Sequence, residues 1–430
     1  MIDKLLERKS DSLIALLMPL LLVFMILSHS MYYLYAILAL CIVKITKPEV
    51  LFPVYFISSL STAFFAISEG LSAGRFISLL MIISLIINNF RIKRPVIRNN
   101  YDHHLLLFIL FCFFSSLFSI TGSFVTFFMI VQGLLVLFLL PKQIELDSKY
   151  MISVLYFGVG ISLVGVWLQF TAQGFEQLLL SRYQGEDGQT NSNRIAMMVM
   201  QMSAVCVTPF IVNDNRLIKW CSLVLFSMGL VVIVLTGSRA SLIASLLSFL
   251  AVFYVVSRKK LSRYIFPILI VIVGGILAFR QFSSIDSVVL DRFTVENLES
   301  DGGSERLPAI EVMLKEIFPH YPFFGVGLGG ANFVTLARPF GIGHPCHNII
   351  FDSLVQLGCV GFVIFISLVF KLLKSSWHAL SSCNNSLYFV LPFILSIGAI
   401  VNGIGETIYV EKWFWNALAL CCLFRNQNSI

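Results

Sequence analysis

The sequence predicts an all-α integral membrane protein with 12–14 transmembrane helices, and three observations support this class. Charged residues make up 12% of the 430 residues, whereas soluble domains carry roughly 25%. Hydrophobic residues make up 58%, and the mean hydropathy is +0.89. Apolar runs recur from residue 12 to residue 424, so the membrane accounts for nearly the whole chain.

Each apolar run is judged by its length, since a helix that crosses a bilayer needs about 20 largely apolar residues. Fourteen runs fit, and the short or tightly joined runs at the two ends leave twelve as the alternative count. An even count places both termini on one side. The runs lie near 12–28, 31–45, 50–67, 74–90, 104–120, 124–140, 151–172, 192–212, 218–236, 238–257, 263–279, 346–370, 386–404 and 412–424.

The positive charges predict the orientation of these spans. Twenty Lys and Arg residues fall in the loops on the side of the termini, against five in the short loops opposite. Loops rich in Lys and Arg face the cytoplasm, so we expect both termini on the cytoplasmic side. The net charge of +7 is therefore a topology signal, and no nucleic-acid partner is expected.

The chain divides by pattern into helices 1–11 at residues 1–279, a large outer loop at 280–345, and C-terminal helices at 346–430. Within the loop, Glu305 to Phe318 reads as an amphipathic helix, with Pro308 in its first turn and Glu311 and Lys315 as an ion pair. Its apolar residues are expected to share one face: Leu307, Ile310, Met313, Leu314, Ile317 and Phe318.

Two arginines are candidates for binding an anion. Arg239 lies in the turn Thr236-Gly237-Ser238-Arg239-Ala240 between two spans, where its guanidinium either snorkels to the interface or binds phosphate oxygens. Arg306 begins the amphipathic helix, where helix N-terminus and guanidinium both favour an anion. The alternative for Arg306 is a solvated loop charge paired with Glu305 or Asp301.

A histidine pair precedes the span that begins near residue 346. His344 and His347 lie in His344-Pro345-Cys346-His347-Asn348, and either imidazole could act as general base for a hydroxyl. The alternative is an interfacial histidine bonded to a backbone carbonyl. Two histidines without further ligands at suitable spacing make a weak metal site, so no metal is expected.

Other polar residues of the outer segments are weaker candidates. Arg182, Asn193 and Arg194 flank the shorter outer loop and could bind sugar or phosphate, although Asn193 also suits a helix cap. Arg338 and Asn348 are further candidates for substrate binding. Glu406 and Glu411, in the last outer loop, could act as acid or base or be simple loop charges.

Two familiar motifs do not apply. Gly325-Val326-Gly327-Leu328-Gly329-Gly330 matches GxGxxG formally, but it follows aromatic and Pro residues rather than a strand of a βαβ unit. GxxxxGK[ST] is missing from the sequence, which excludes a P-loop ATPase.

Taken together, these motifs resemble the O-antigen polymerase and O-antigen ligase family of bacterial envelope glycosyltransferases. Three segments carry the resemblance in order and spacing. They are TGSRA at 236–240, the segment from Glu305-Arg306-Leu307 to Pro322-Phe323-Phe324-Gly325-Val326-Gly327, and His347-Asn348 running into Leu354-Val355-Gln356-Leu357-Gly358-Cys359-Val360-Gly361.

The resemblance implies a reaction at the periplasmic face of the bacterial inner membrane. Family members join glycans carried on undecaprenyl pyrophosphate and need neither nucleotide sugar nor metal. Arg239 and Arg306 would bind the donor's pyrophosphate, His347 would be the general base, and Asn348 would orient His347 or the sugar. Attack opposite the leaving group would invert the anomeric centre.

The acceptor distinguishes the two family reactions. A polymerase uses a lipid-linked repeat unit, a ligase uses lipid A-core, and the high span count favours a polymerase. A chain-length regulator is a possible partner. Outside the family, a transporter of lipid-linked oligosaccharides is the main alternative, but it is expected to carry ionisable residues within its spans. A scaffold would not need Arg239, Arg306 and His347.

Overall fold

The computed structural model describes residues 2–28, 30–60, 66–68, 71–92, 100–121, 124–143, 148–172, 192–212, 215–260, 306–382 and 390–423. The chain forms two compact units that interleave in sequence. Unit 1 comprises residues 1–81, 145–297 and 385–398, and unit 2 comprises residues 82–144, 298–384 and 399–430.

The described residues of unit 1 are helical except for one short hairpin and the turns between helices. Helix α8 packs extensively on α9 and α10, and α1 packs on α2, α3 and α7. Its elements are α1 (Ile2–Ser28), α2 (Met31–Val43), α3 (Pro48–Leu60), antiparallel strands β1 (Ala66–Ser68) and β2 (Leu71–Ser72), the start of α4 (Ala73–Ile92), α7 (Ser148–Ala172), α8 (Ser192–Val212), α9 (Arg216–Leu235), α10 (Arg239–Lys260) and most of α14 (Val390–Gly403).

Unit 2 contains the remaining helices. Helix α15 packs on α6 and on α13, and α13 also packs on α5. The elements are the rest of α4, α5 (Asn100–Leu117), α6 (Val125–Gln143), α11 (Arg306–Val312) with a π-helical turn (Met313–Ile317) and a 3-10 turn (Phe318–His320), α12 (Gly330–Ala337) with a 3-10 turn (Arg338–Phe340), α13 (Ile349–Ser382), the end of α14, and α15 (Lys412–Leu423).

The architecture is that of an all-α integral membrane protein, as predicted. Four described segments, Gly74–Arg91, Ser153–Ala172, Arg216–Leu235 and Ile349–His378, are long and apolar enough to cross a membrane. Seven shorter apolar helices accompany them. Each predicted span within the described residues coincides with a helix, except that the end of 50–67 enters β1; the span 263–279 lies outside them.

The amphipathic helix forms where the sequence predicts it. Pro308 lies in the first turn of α11, and Lys315 Nζ donates to Glu311 Oε1 at 2.5 Å on the exposed face. The buried face differs from the prediction. Leu307 and Leu314 are exposed, because the buried side of the helix consists of residues spaced four apart: Ala309, Met313 and Ile317. These three residues pack in one hydrophobic core with Val326, Phe333, Ala337, Ile342, Cys346 and Val355.

Helix α13 is interrupted at Gly358, whose φ of 64° and ψ of −177° are not helical. The segment 322–326 fills the break. Cys359 N donates to Pro322 O at 2.8 Å and Val360 N to Phe323 O at 3.2 Å. In return, Val326 N donates to Val355 O at 2.9 Å. The backbone groups released by the break therefore have partners, as a helix in an apolar setting requires.

This backbone crossing leaves no room for side chains at two positions. A Cβ atom on Gly325 would lie 2.4 Å from Gln356 O, and one on Gly358 would lie 2.3 Å from Phe323 C. Both residues also have φ near +70°, a conformation that glycine adopts without steric cost. Gly325 and Gly358 thus allow the close approach of the segment 322–326 to α13.

Substitution Gly358→Ala should destabilise the protein by about 3 kcal/mol, the combined cost of a left-handed alanine and of a backbone clash. The midpoint of thermal unfolding in detergent, followed by loss of the monodisperse chromatographic peak, measures this. Gly343→Ala is the matched control, because a Cβ atom there meets no atom within 4 Å. Equal midpoints for Gly358→Ala and the wild type would contradict the crossing.

Candidate active site

The candidate site in unit 2 is built on the loop 344–348 at the start of α13. Asn348 caps this helix: its Oδ1 accepts from Ile350 N at 2.9 Å and from Phe351 N at 3.3 Å. Its Nδ2 donates to Ile404 O at 2.9 Å. Asn348 therefore fixes the loop to the helix and to the segment 404–411.

Backbone strain marks His347 within this loop. Among the residues that the structure describes, it alone combines a side chain with a positive φ, of 50°. A left-handed conformation costs a non-glycine residue about 1–2 kcal/mol, and strain of this kind persists only where surrounding contacts enforce it.

The enforcing contacts come from the fully buried Asp352. Its Oδ1 accepts from Cys346 N at 3.0 Å, and its Oδ2 accepts from Asn348 N at 3.1 Å. The hydroxyl of Thr407 also donates to Oδ2. The two peptide N–H groups on either side of His347 are therefore held by one carboxylate.

His347 pairs with Glu406, which lies 59 residues further along the chain. The His347 Nδ1–H donates to Glu406 Oε1, and Thr407 N donates to the same oxygen at 3.4 Å. The side chain of His347 is 28% exposed, against 13% for Glu406. With Nδ1 committed to the carboxylate, Nε2 is the nitrogen that can accept a proton.

Several charges act on the pKa of His347. Burial lowers it, but the hydrogen bond and charge of Glu406 and the charge of Asp352 raise it more, so the pKa lies above the ordinary 6.5. The positive charge of Arg306 opposes this rise in the pKa. The stability that the pair contributes is fully present below pH about 6.5 and is lost as pH rises through the raised pKa.

His344 lies against His347, with ring centroids 5.8 Å apart and planes 18° from parallel. Its Nδ1–H donates to Pro345 O at 2.8 Å. This is the carbonyl-bonded alternative that the sequence leaves open for either histidine. The two rings differ in the group bonded to Nδ1, which is a backbone carbonyl for His344 and a carboxylate for His347.

Gln356 follows Asp352 by one helical turn on the same side of α13. Its Oε1 accepts from Gly329 N at 2.8 Å and from the hydroxyl of Tyr409. Asp352 and Gln356 thus connect the start of α13 with the loops around residues 329, 347 and 407. Arg338 is exposed at the end of α12, with no described contact to His347.

Arg239 belongs to unit 1. The predicted tight turn is present: Thr236 ends α9, Gly237 has a φ of 67°, and Arg239 begins α10. Ser238 O accepts from Leu242 N at 3.1 Å, and the guanidinium of Arg239 is half-buried.

Of the remaining candidates, Asn193 and Arg194 lie in the first turn of α8, also in unit 1. Asn193 is half-buried and Arg194 is exposed. Arg182 lies outside the described residues.

The geometry adds residues that the sequence does not single out as a group. Glu406 is a sequence candidate for acid or base, but nothing in the sequence pairs it with His347. Asp352 and Gln356 are not candidates by sequence at all. The available signal is a carboxylate and an amide one turn apart in an apolar span, where buried polar groups need partners.

These features define a polytopic helical membrane protein with a strained, half-buried histidine that is paired with a carboxylate. Such a group can take up and release a proton. Residues 223–366, about a third of the chain, match the family described as O-antigen ligase. This match supports assignment of the chain to the O-antigen ligase/polymerase family, a family of membrane glycosyltransferases.

The matched segment includes Arg239, Arg306, His347 and Asp352, whereas Glu406 and Thr407 lie beyond it. No curated protein is significantly similar to the chain.

Replacement Glu406→Gln should lower the pKa of His347, since it removes the negative charge that stabilises the imidazolium. Diethyl pyrocarbonate modifies neutral imidazole, so the pH dependence of His347 modification, mapped by mass spectrometry, reports this pKa. The pH at which modification of His347 is half-maximal (the acid limb of the pH profile) should move to a lower value. Glu411→Gln, in the same loop, is the control and should leave it in place. An unmoved limb in Glu406→Gln would argue against the pairing.

Proposed function

We propose that the chain transfers a glycan from a lipid-linked pyrophosphate donor to an acceptor hydroxyl, with His347 as general base. The observation that carries this proposal is the pairing of His347 Nδ1 with Glu406, which leaves Nε2 as the nitrogen that can accept a proton. The family match supports glycosyl transfer.

In the proposed step, Nε2 of His347 takes the proton of the acceptor hydroxyl as its oxygen attacks the anomeric carbon. The bond between that carbon and the phosphate oxygen breaks, and lipid pyrophosphate leaves with the electron pair. Glu406 stabilises the imidazolium that forms, as the carboxylate of a serine-protease triad does. The anomeric centre is inverted.

The leaving pyrophosphate gains negative charge, which calls for cations placed in advance. Arg306 is assigned this role on the sequence resemblance, and its positive charge lowers the pKa of His347. Arg239 is assigned a share in donor binding on the sequence resemblance. Asn348 acts by capping the helix that carries the site, and Arg182, Asn193, Arg194, Arg338 and His344 stay candidates for glycan contacts.

We propose polymerisation of undecaprenyl-pyrophosphate-linked repeat units, at the periplasmic face of a bacterial inner membrane with both termini cytoplasmic, as the specific reaction. The predicted span count and the loop charges favour this assignment. Ligation of the glycan to lipid A-core is the second candidate, because the matching family is described as O-antigen ligase.

Deletion of the gene, followed by a silver-stained gel of envelope polysaccharide, separates these reactions. A polymerase deletion should leave a single repeat unit on lipid A-core and abolish the ladder. A ligase deletion should remove all O-antigen from lipid A-core while polymer accumulates on the lipid carrier. An unchanged polysaccharide profile would contradict both the polymerase and the ligase assignment. It would favour a transporter or a role in a separate capsule pathway.

Substitution His347→Ala should lower the transfer rate by about 10²–10⁴-fold, the usual contribution of a general base. The assay uses purified protein and lipid-linked donor that accumulates in the deletion strain. His320→Ala is the matched control, because His320 is exposed in the same unit and has no part in the site. A wild-type rate in His347→Ala would remove the proposed base.

A further inference from the structure

We propose that Asp352 is the positioning residue of this site, holding His347 and the loop of Glu406 in register. This inference rests on the proposed function and deepens it. The hydrogen bonds of the carboxylate within the described residues do not include one to the imidazole ring; it acts through three hydrogen bonds to the segments that carry the pair.

The first part of the argument is the backbone of His347. Its φ of 50° is unfavourable for a residue with a side chain, so a free loop would return to negative φ and turn the ring elsewhere. The N–H groups of Cys346 and Asn348 both bind Asp352, at 3.0 and 3.1 Å. Because Cys346 precedes His347 and Asn348 follows it, a change in the backbone torsions of His347 would break at least one of these two hydrogen bonds.

The second part is the partner of the base. The Thr407 hydroxyl donates to Asp352 Oδ2, while Thr407 N donates at 3.4 Å to Glu406 Oε1. One carboxylate therefore fixes both segments that meet in the His347–Glu406 hydrogen bond. Asp352 is fully buried in the first turn of α13, where the helix dipole favours a carboxylate.

The third part is what the chemistry requires. A general base acts only within hydrogen-bond reach of the proton it removes, and a displacement of about 1 Å can cost about 10²-fold in rate. A loop before a helix does not provide such precision unless its backbone is held. Asp352 provides that restraint without entering the reaction.

The primary test is Asp352→Asn in the purified full-length protein. Its amide nitrogen cannot accept a hydrogen bond, so one peptide N–H next to His347 loses its partner. We expect kcat to fall by about 10²-fold, with the KM for lipid-linked donor unchanged. Ser353→Ala is the control. Its buried hydroxyl bonds only to carbonyls of its own helix, and kcat should stay within about twofold.

The same change in a His347→Ala background tests the mechanism. If Asp352 acts through His347, the residual rate should not fall further. An equal loss in both backgrounds, or a wild-type kcat for Asp352→Asn, would overturn the proposal. These outcomes differ from failure of the proposed function, in which His347→Ala itself keeps the wild-type rate.

A readout independent of turnover completes the test. Release of the loop should raise the rate of His347 modification by diethyl pyrocarbonate several-fold in Asp352→Asn and not in Ser353→Ala; an unchanged rate would overturn the proposal. Should Asp352→Asn fail to fold, Thr407→Val replaces it, because that variant removes only the hydroxyl bond to Asp352. Its kcat should fall by less than about 10²-fold. In a His347→Ala background, Thr407→Val should cause no further decrease in rate.

Discussion

The buried carboxylate of Asp352 is the interaction on which the candidate site depends. A charge removed from water is tolerated only when donors surround it, and here two peptide N–H groups and the hydroxyl of Thr407 do so. The need for these donors brings together two loops that are distant in sequence, around residues 347 and 407. One turn further along α13, Gln356 repeats the arrangement with neutral partners.

The positions of the helices can be predicted from the sequence, but the residues that neighbouring elements cover cannot. An apolar run of suitable length and the charges that flank it are local properties, so α8, α9 and α10 fall close to their predicted bounds. The amphipathic helix is found for the same reason. Its exposed Leu307 and Leu314 are misassigned because periodicity gives the apolar side and not how much of it a neighbour covers.

For the candidate site, sequence reasoning finds His347, which the structure pairs with Glu406 and places within the field of Arg306. It does not find the pairing, because 59 residues separate the two groups and no pattern in one chain encodes a contact of that range. Asp352 and Gln356 are missed for another reason. A single polar residue in an apolar run resembles a tolerated exception until its hydrogen bonds are known.

The break in α13 has a consequence for how the protein is made. The segment 322–326 supplies the partners for the peptide groups released at Gly358, and the ribosome makes it before the helix that needs it. When residues 349–382 emerge from the ribosome, the segment 322–326 has already been made. The helix can therefore enter the lipid with its interruption closed, so that synthesis order and stability in the bilayer agree.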